Sequence, residues 1–473
     1  MARGYETDFE ATACDDVVPA DPRVECGVLT VPEDRSEPDG PKVRLPIAII
    51  RTASAERLSD PIVYLSGGPG FPGRSAAEGF LEIDLGGARD VILFDQRGTG
   101  AADPSLDCPE QVDAVWATLG AADPPAREAR RFRAAMRTCH ERLEADGVDL
   151  DSYDTTVSAH DVVDLRRALE IDEWNVLGVS YGTTLGLEVL RRDPQGVRAA
   201  VLDSVYPTDV PSDATRYAAT AERAIGQLFD GCAADPACAA AYPELRSDFD
   251  ALVQEWNEVP YESDITDPET GEPRHLVITG FDVVAGVFNA MYDADLIPVL
   301  PSLIAPLRER SGIAATVVEL LATDGVAQLT GAAEVMSSAV ECADRQRLAG
   351  PPDEEVSEGE PRYSALIVFS AYGRYCDIVD VESAPVRFNR PVRSDRPTLV
   401  YGDEYDPVTP PGGSRRTARV LGDATFVLTP GYGHGVALET DCTRGIFDAF
   451  LADPGASLDI SCAEALPGPA WSV

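Results

Sequence analysis

The stretch Trp174-Asn175-Val176-Leu177-Gly178-Val179-Ser180-Tyr181-Gly182-Thr183 restricts the fold more than any other part of the chain. An apolar run leads into Gly-x-Ser-x-Gly and then into a helical pattern from Leu185 to Arg192. That order demands a sharp strand-to-helix turn, with Ser180 at its apex and its hydroxyl projecting clear of a sheet. Gly178 and Gly182 flank the turn because a Cβ at either position would crowd neighbouring backbone. The following helix aims its free N–H groups and the positive end of its dipole at the place where an oxyanion would form.

The rest of the chain supplies the sheet that such a turn needs. Gly27–Pro32 and Val43–Arg51, separated by Ser36–Gly40, read as a hairpin. Pro61–Leu65 reads as a buried strand ending in Ser66-Gly67-Gly68-Pro69-Gly70, and Val91–Phe94 as another ending in Asp95-Gln96-Arg97-Gly98-Thr99-Gly100. Helical spacing is expected over 125–146 and over Ala159–Glu170, and a strand over Arg198–Asp203. Alternation of strands and helices implies an α/β chain with a mostly parallel sheet covered on both faces.

From about Tyr206 the strand rhythm stops. Residues 215–255, 281–308 and 313–345 read as Ala- and Leu-rich helices joined by loops rich in Pro and Asp. Residues 351–360 read as a mobile acidic loop. Strand patterns return at Pro397–Tyr401 and Ala424–Leu428, and a last helix is expected near Gly445–Leu451. The division that follows is a core in two parts, 1–205 and 386–473, interrupted by a helical insertion over 206–385.

Asp403-Glu404-Tyr405-Asp406-Pro407 follows the first returning strand, and Gly431-Tyr432-Gly433-His434-Gly435 follows the second. Ser180, Asp406 and His434 thus sit at strand ends, where open α/β sheets place their sites. Their order along the chain is that of a nucleophile, an acid and a base. His434 would take the Ser180 proton, and Asp406 would orient and stabilise the imidazole. Asp403 competes with Asp406; Asp406 is preferred because it begins the turn formed with Pro407 and does not itself end the strand. The backbone N–H of Tyr181 and the turn at Gly67–Gly70, Gly68 in particular, would supply oxyanion donors.

Composition narrows the context. The chain has 81 acidic residues against 39 basic, a net charge of −42, and Lys42 is its one lysine. Such a surface repels nucleic acid and anionic lipid, so neither is expected as a partner. The 10 cysteines form no C-x-x-C pair and there are only 4 histidines, so no metal site is expected. The even count fits an exported protein with disulfides, each cysteine bridged to its sequence neighbour: five local bridges. No run of about 18 apolar residues occurs, and residues 1–13 lack the apolar core of a signal peptide. A soluble chain is expected, its Met-Ala start standing where an export signal has been removed.

Taken together, Ser-Gly-Gly-Pro-Gly, Asp-Gln-Arg-Gly-Thr-Gly, Gly-Val-Ser-Tyr-Gly-Thr, Asp-Pro-Val-Thr-Pro and Gly-Tyr-Gly-His-Gly resemble the prolyl and tripeptidyl aminopeptidase family of α/β-hydrolases. The resemblance is to its secreted actinobacterial tripeptidyl members most of all, and runs from about Cys14 to Cys462. It implies Ser180, Asp406 and His434 as the triad, Gly68 and Tyr181 at the oxyanion hole, and the insertion as a lid. It further implies no metal or organic cofactor and peptide substrates with a free N-terminus, cut to release short peptides, tripeptides foremost, by a secreted enzyme; the sequence leaves the oligomeric state open, and a monomer is the expectation. Within Val340-Glu341-Cys342-Ala343-Asp344, Glu341 is the candidate to hold the substrate's ammonium. One departure is visible: Ser66 stands where the family usually has His. A carboxylesterase with the same triad and an apolar pocket is the competing reading.

Overall fold

A computed structural model of the chain describes residues 8–211, 214–267, 270–309, 331–346, 348 and 375–473, with isolated positions between 314 and 326. The acidic loop at 351–360, and the helix expected over 313–345 before residue 331, lie largely outside the described residues.

Among the described residues nine strands form one sheet: β1 (Asp8–Thr12), β2 (Val24–Pro32), β3 (Lys42–Ile50), β4 (Ile62–Leu65), β5 (Val91–Phe94), β6 (Trp174–Val179), β7 (Val197–Asp203), β10 (Thr398–Asp403) and β11 (Ala424–Thr429). The spatial order is β1-β2-β3-β5-β4-β6-β7-β10-β11. β2 and β3 form the expected antiparallel hairpin, with Val31 opposite Val43. From β5 to β11 every pairing is parallel, so these strands all end at one edge of the sheet.

The expected cover on both faces is present. Val176, Ala200, Leu202 and Val400 join a core on one face, while Leu177, Ala199, Val201, Leu399 and Tyr401 join another on the opposite face. That alternation is the period-2 geometry of a strand. Because both faces are buried, the strands read as continuous apolar runs rather than alternating ones.

Among the described residues, helices of ten residues or more are α1 (Pro109–Leu119), α2 (Pro125–Ala145), α3 (Thr155–Ala168), α4 (Tyr181–Arg192), α5 (Ala214–Ala234), α6 (Leu245–Glu258), α7 (Gly280–Ala290), α8 (Glu334–Arg345), α9 (Pro411–Val420) and α10 (Asp441–Ala452). Several begin on side-chain caps. The Asp154 carboxylate accepts from Val157 N at the start of α3, and Thr279 and Asp282 form a capping box on α7. Each such cap is worth about 1 kcal/mol.

Between β7 and β10 the described residues add no strand to the main sheet. They build a third core around Ile225, Phe249, Trp256, Val287 and Phe288. The expectation of a purely helical insertion is corrected here. β8 (Tyr261–Thr266) and β9 (Pro273–Ile278) form a separate antiparallel ribbon. Its outward residues, Glu262, Asp264 and His275 among them, are polar, so the sequence reads there as loop.

The five expected bridges are all formed: Cys14–Cys26, Cys108–Cys139, Cys232–Cys238, Cys342–Cys376 and Cys442–Cys462. Among the described residues no helix is long and apolar enough to cross a membrane.

Candidate active site

Ser180 joins β6 to α4 with φ 59° and ψ −126°, a conformation that non-glycine residues rarely adopt. Such backbone costs on the order of 1–3 kcal/mol and persists only where the surroundings enforce it. The surroundings here are backbone. A methyl group on Gly182 would stand 1.9 Å from the Leu65 carbonyl oxygen, and one on Gly178 would stand 2.5 Å from that of Gly182. The two glycines are therefore what allows α4 to start directly against the end of β4, four residues earlier than helical periodicity alone indicates.

The turn after β4 faces the same place. A methyl group on Gly67 would lie 3.0 Å from Ser180 Cβ. Gly68 has φ +107°, open to glycine and strained for other residues. Tyr181 is the first residue of α4, so its N–H has no intrahelical acceptor. Ser66, the departure from the expected pattern, donates its hydroxyl to the Phe71 carbonyl at 2.8 Å. Gln96 Nε2 donates to both the carbonyl and the hydroxyl oxygen of Ser66, at 3.1 Å each. Asp95 accepts from Arg74 N and Nε, and Arg97 pairs with buried Asp161. The Asp95–Gly100 motif thus braces the Gly67–Gly70 turn.

Asp406 and His434 meet at the ends of β10 and β11. His434 Nδ1 lies 2.8 Å from Asp406 Oδ2. The other carboxylate oxygen accepts from Val408 N and Thr409 N at 2.9 and 2.8 Å. Thr409 Oγ1 donates to Asp406 Oδ2 at 2.6 Å and lies 3.2 Å from His434 Nδ1. Burial alone would raise the Asp406 pKa, but the adjoining imidazole and the Thr409 donors hold it below the ordinary carboxylate value. Burial pulls His434 down, and the Asp406 charge and hydrogen bond more than offset this, leaving the imidazole above its usual value. Thr409 lay inside a motif quoted from the sequence, but its hydroxyl's reach to both partners is visible only in three dimensions.

Asp403, the competing acid, is occupied elsewhere. Its Oδ2 accepts from Ser204 Oγ at 2.6 Å, and its Oδ1 accepts from Thr429 Oγ1. Burial, then the charges of Asp203 and Asp406, push its carboxyl well above the ordinary range. Ser204 Oγ in turn accepts from Gly435 N at 2.9 Å, so this pair supports the loop beside His434. The His434 loop also adjoins the Ser180 turn: a methyl group on Gly435 would lie 3.2 Å from Val179 Cγ1.

Glu341 lies buried on α8. Its Oε2 accepts from Tyr206 Oη at 3.2 Å and sits 3.7 Å from Arg345 Nε. Seven residues earlier, at the start of the same helix, burial pushes the Glu334 carboxyl up to about 7. Ala333 N donates to the Gly70 carbonyl at 3.0 Å, which sets the first turn of α8 against the Gly67–Gly70 turn. Sequence reasoning passed over Glu334 because acidic residues are so common in this chain. The three-residue group Cys108, Glu110 and Cys139 is no metal site, since both cysteines are in a disulfide.

Strand order, the serine turn and the strand-end loops are those of an α/β-hydrolase fold. A family model described as alpha/beta hydrolase fold matches residues 60–272, and one described as TAP-like protein matches 363–462. The chain is similar to a tripeptidyl aminopeptidase of Streptomyces coelicolor, 34% identical over 209 residues, 42% of this chain and 38% of that protein. It thus spans under two-fifths of the length of that relative. It is also similar to serine protease Hip1 of Mycobacterium bovis, 27% identical over 415 residues, 81% of this chain and 76% of the relative. A crystal structure of proline iminopeptidase from Mycobacterium smegmatis overlaps it with a TM-score of 0.46 at 17% identity, covering 90% of this chain and 98% of the other.

Proposed function

We propose that this chain is a secreted serine aminopeptidase that releases short peptides, tripeptides foremost, from free N-termini. The single observation that carries the reading is the set of loops at one sheet edge: a strained serine turn beside a buried His434–Asp406 pair. In this reading His434 removes the Ser180 proton as the hydroxyl attacks the scissile carbonyl. The backbone N–H groups of Gly68 and Tyr181 receive the oxyanion, and His434 then protonates the leaving amine. Water repeats the sequence on the acyl-enzyme. The relatives' names and the TAP-like match support peptide substrates. Five disulfides support an oxidising compartment.

The insertion acts as the lid, and Glu341 is the anchor for the substrate's α-ammonium, its carboxylate fixed by Tyr206 and Arg345. A chromogenic tripeptide anilide with its amine free or acylated tests the reading. Cleavage of the free form alone is expected, with kcat lowered about 10⁴-fold or more in Ser180→Ala. Glu341→Gln is expected to raise KM for the free-amine substrate only. Equal cleavage of both forms, or activity confined to simple esters, would replace this reading with the carboxylesterase.

A further inference from the structure

The loops that carry Asp406 and His434 are each held by the insertion. On α5, Arg223 Nη1 donates to the Glu404 carbonyl at 3.0 Å, and Nη2 donates to the Asp406 carbonyl. One turn on, Gln227 Nε2 donates to Glu404 Oε1 at 3.1 Å, and Glu404 Oε2 accepts from Gly431 N at 3.0 Å. Tyr405, between Glu404 and Asp406, is buried in the same hydrophobic cluster as Ile225 and Leu228 of α5. A methyl group on Gly231 of α5 would stand 2.2 Å from the Tyr405 hydroxyl.

The His434 loop is held in a similar way just after α7. His434 N donates to the Tyr292 carbonyl at 3.1 Å, and the two rings pack edge to face with centroids 5.0 Å apart. A methyl group on Gly433 would stand 2.3 Å from the Met291 carbonyl oxygen. The two loops are also joined directly, Tyr405 N donating to the Tyr432 carbonyl at 2.9 Å.

A hinged cover would leave the acid and base loops to the sheet. Here α5 enters the turn that holds the acid. A guanidinium suits this position because its planar fork can satisfy two carbonyls at once, whereas an ammonium is a point donor. We infer that Arg223 is a positioning residue, fixing the Asp406 turn against α5 and so setting the line from Asp406 to His434. The inference rests on the triad proposed above. It makes α5 a part of the catalytic scaffold.

The test compares wild type with Arg223→Lys and Arg223→Met. Three readouts are taken: kcat and KM on a free-amine anilide, labelling of Ser180 by a serine-reactive phosphonate, and the downfield proton resonance of His434 Nδ1–H. Arg223→Met is expected to lower kcat and the labelling rate by about 10–100-fold, with KM within about twofold, since small misplacements of reacting groups carry losses of that size. Its downfield resonance should broaden or vanish. Arg223→Lys is expected to retain the resonance and lose about three- to tenfold in kcat. Wild-type kcat, labelling and resonance in Arg223→Met would overturn the inference, as would a rise in KM at unchanged kcat. Should Arg223→Met not fold, Arg223→Lys decides, and wild-type values there in all three readouts overturn the inference. Failure of the phosphonate to label Ser180 in the wild type refutes the triad itself and is read separately.

Discussion

Asp403 and Asp406 stand three positions apart, both buried, yet only Asp406 touches His434; Asp403 faces Ser204 and Thr429. Their substitutions should therefore separate. Asp406→Asn is expected to lower kcat by about 10³–10⁴-fold, because it favours the wrong imidazole tautomer and removes the charge that stabilises the imidazolium. Asp403→Asn should stay within about tenfold of wild type, since it leaves the base and its partner in place. Comparable losses in the two variants, measured on one anilide substrate, would contradict this division.

The pH profile of kcat/KM should carry the mark of Asp406. In the proposed mechanism the active base is neutral imidazole, and the His434 pKa is raised above 6.5 by Asp406 against the opposing effect of burial. Activity is then fully present at alkaline pH and falls as pH drops through that raised value. The acid limb should have its midpoint above 6.5, and Asp406→Asn should move the midpoint of the residual activity downward. A midpoint below 6.5 in the wild type would mean that desolvation outweighs the carboxylate.

Stability should respond to Asp403 with the opposite pH sense to a salt-bridged carboxylate. Burial and two acidic neighbours raise its folded pKa above the ordinary aspartate value of 3.8, so the folded state keeps a proton that the unfolded state has lost. That contribution is fully present below pH 3.8 and is lost as pH rises through the folded pKa. Asp403→Asn keeps an oxygen for Ser204, and its amide can donate to Thr429 Oγ1, which lies 3.4 Å from the Gly402 carbonyl as an acceptor of its own. The variant's melting temperature should gain on the wild type as pH rises, by on the order of 2 °C. A gap that narrows with rising pH would show that Asp403 is charged in the fold.

The Cys342–Cys376 bridge ties the end of α8 to the chain that leads back to β10. Its sequence separation of 34 residues corresponds, in the chain-entropy account, to about 3–4 kcal/mol. Cys342→Ala with Cys376→Ala should lose that much by denaturant unfolding. Cys232–Cys238, with a separation of 6, should matter less, about 2 kcal/mol. Equal losses at the two bridges would point to native-state contacts as the main source of stability there.

Much of the core was legible because its signals are local. Val91–Phe94 is a buried strand with the bounds its apolar run suggests, and the Ser180 turn is dictated by two glycines that backbone contact makes necessary. Neighbour pairing of the cysteines was legible for the same reason. The β8–β9 ribbon was not, since a two-stranded ribbon facing solvent has too few apolar residues to impose a rhythm. Nor was β1, a mostly exposed strand that pairs with β2. Turn chemistry favours Asp406 over Asp403 in the sequence without deciding between them. The engagement of Asp403 by Ser204 and Thr429 depends on strands far apart in sequence. Arg223 and Tyr292 gave no signal at all, because an arginine or tyrosine within a helical run looks the same whether it faces solvent or the Asp406 and His434 loops.

In the sheet, Ala200 of β7 lies beside Thr398 of β10, with the whole insertion between them in sequence. A ribosome delivers the two at different times. At about 5–20 residues per second, His434 emerges roughly 10–50 s after Ser180. During that interval the nascent chain holds a nucleophile without its base, and for most of it the strand that will carry Asp406 has not been made. If the proposed activity holds, the peptidase is inert for most of its own synthesis, a safeguard set by the linear order of the gene and requiring no separate inhibitor.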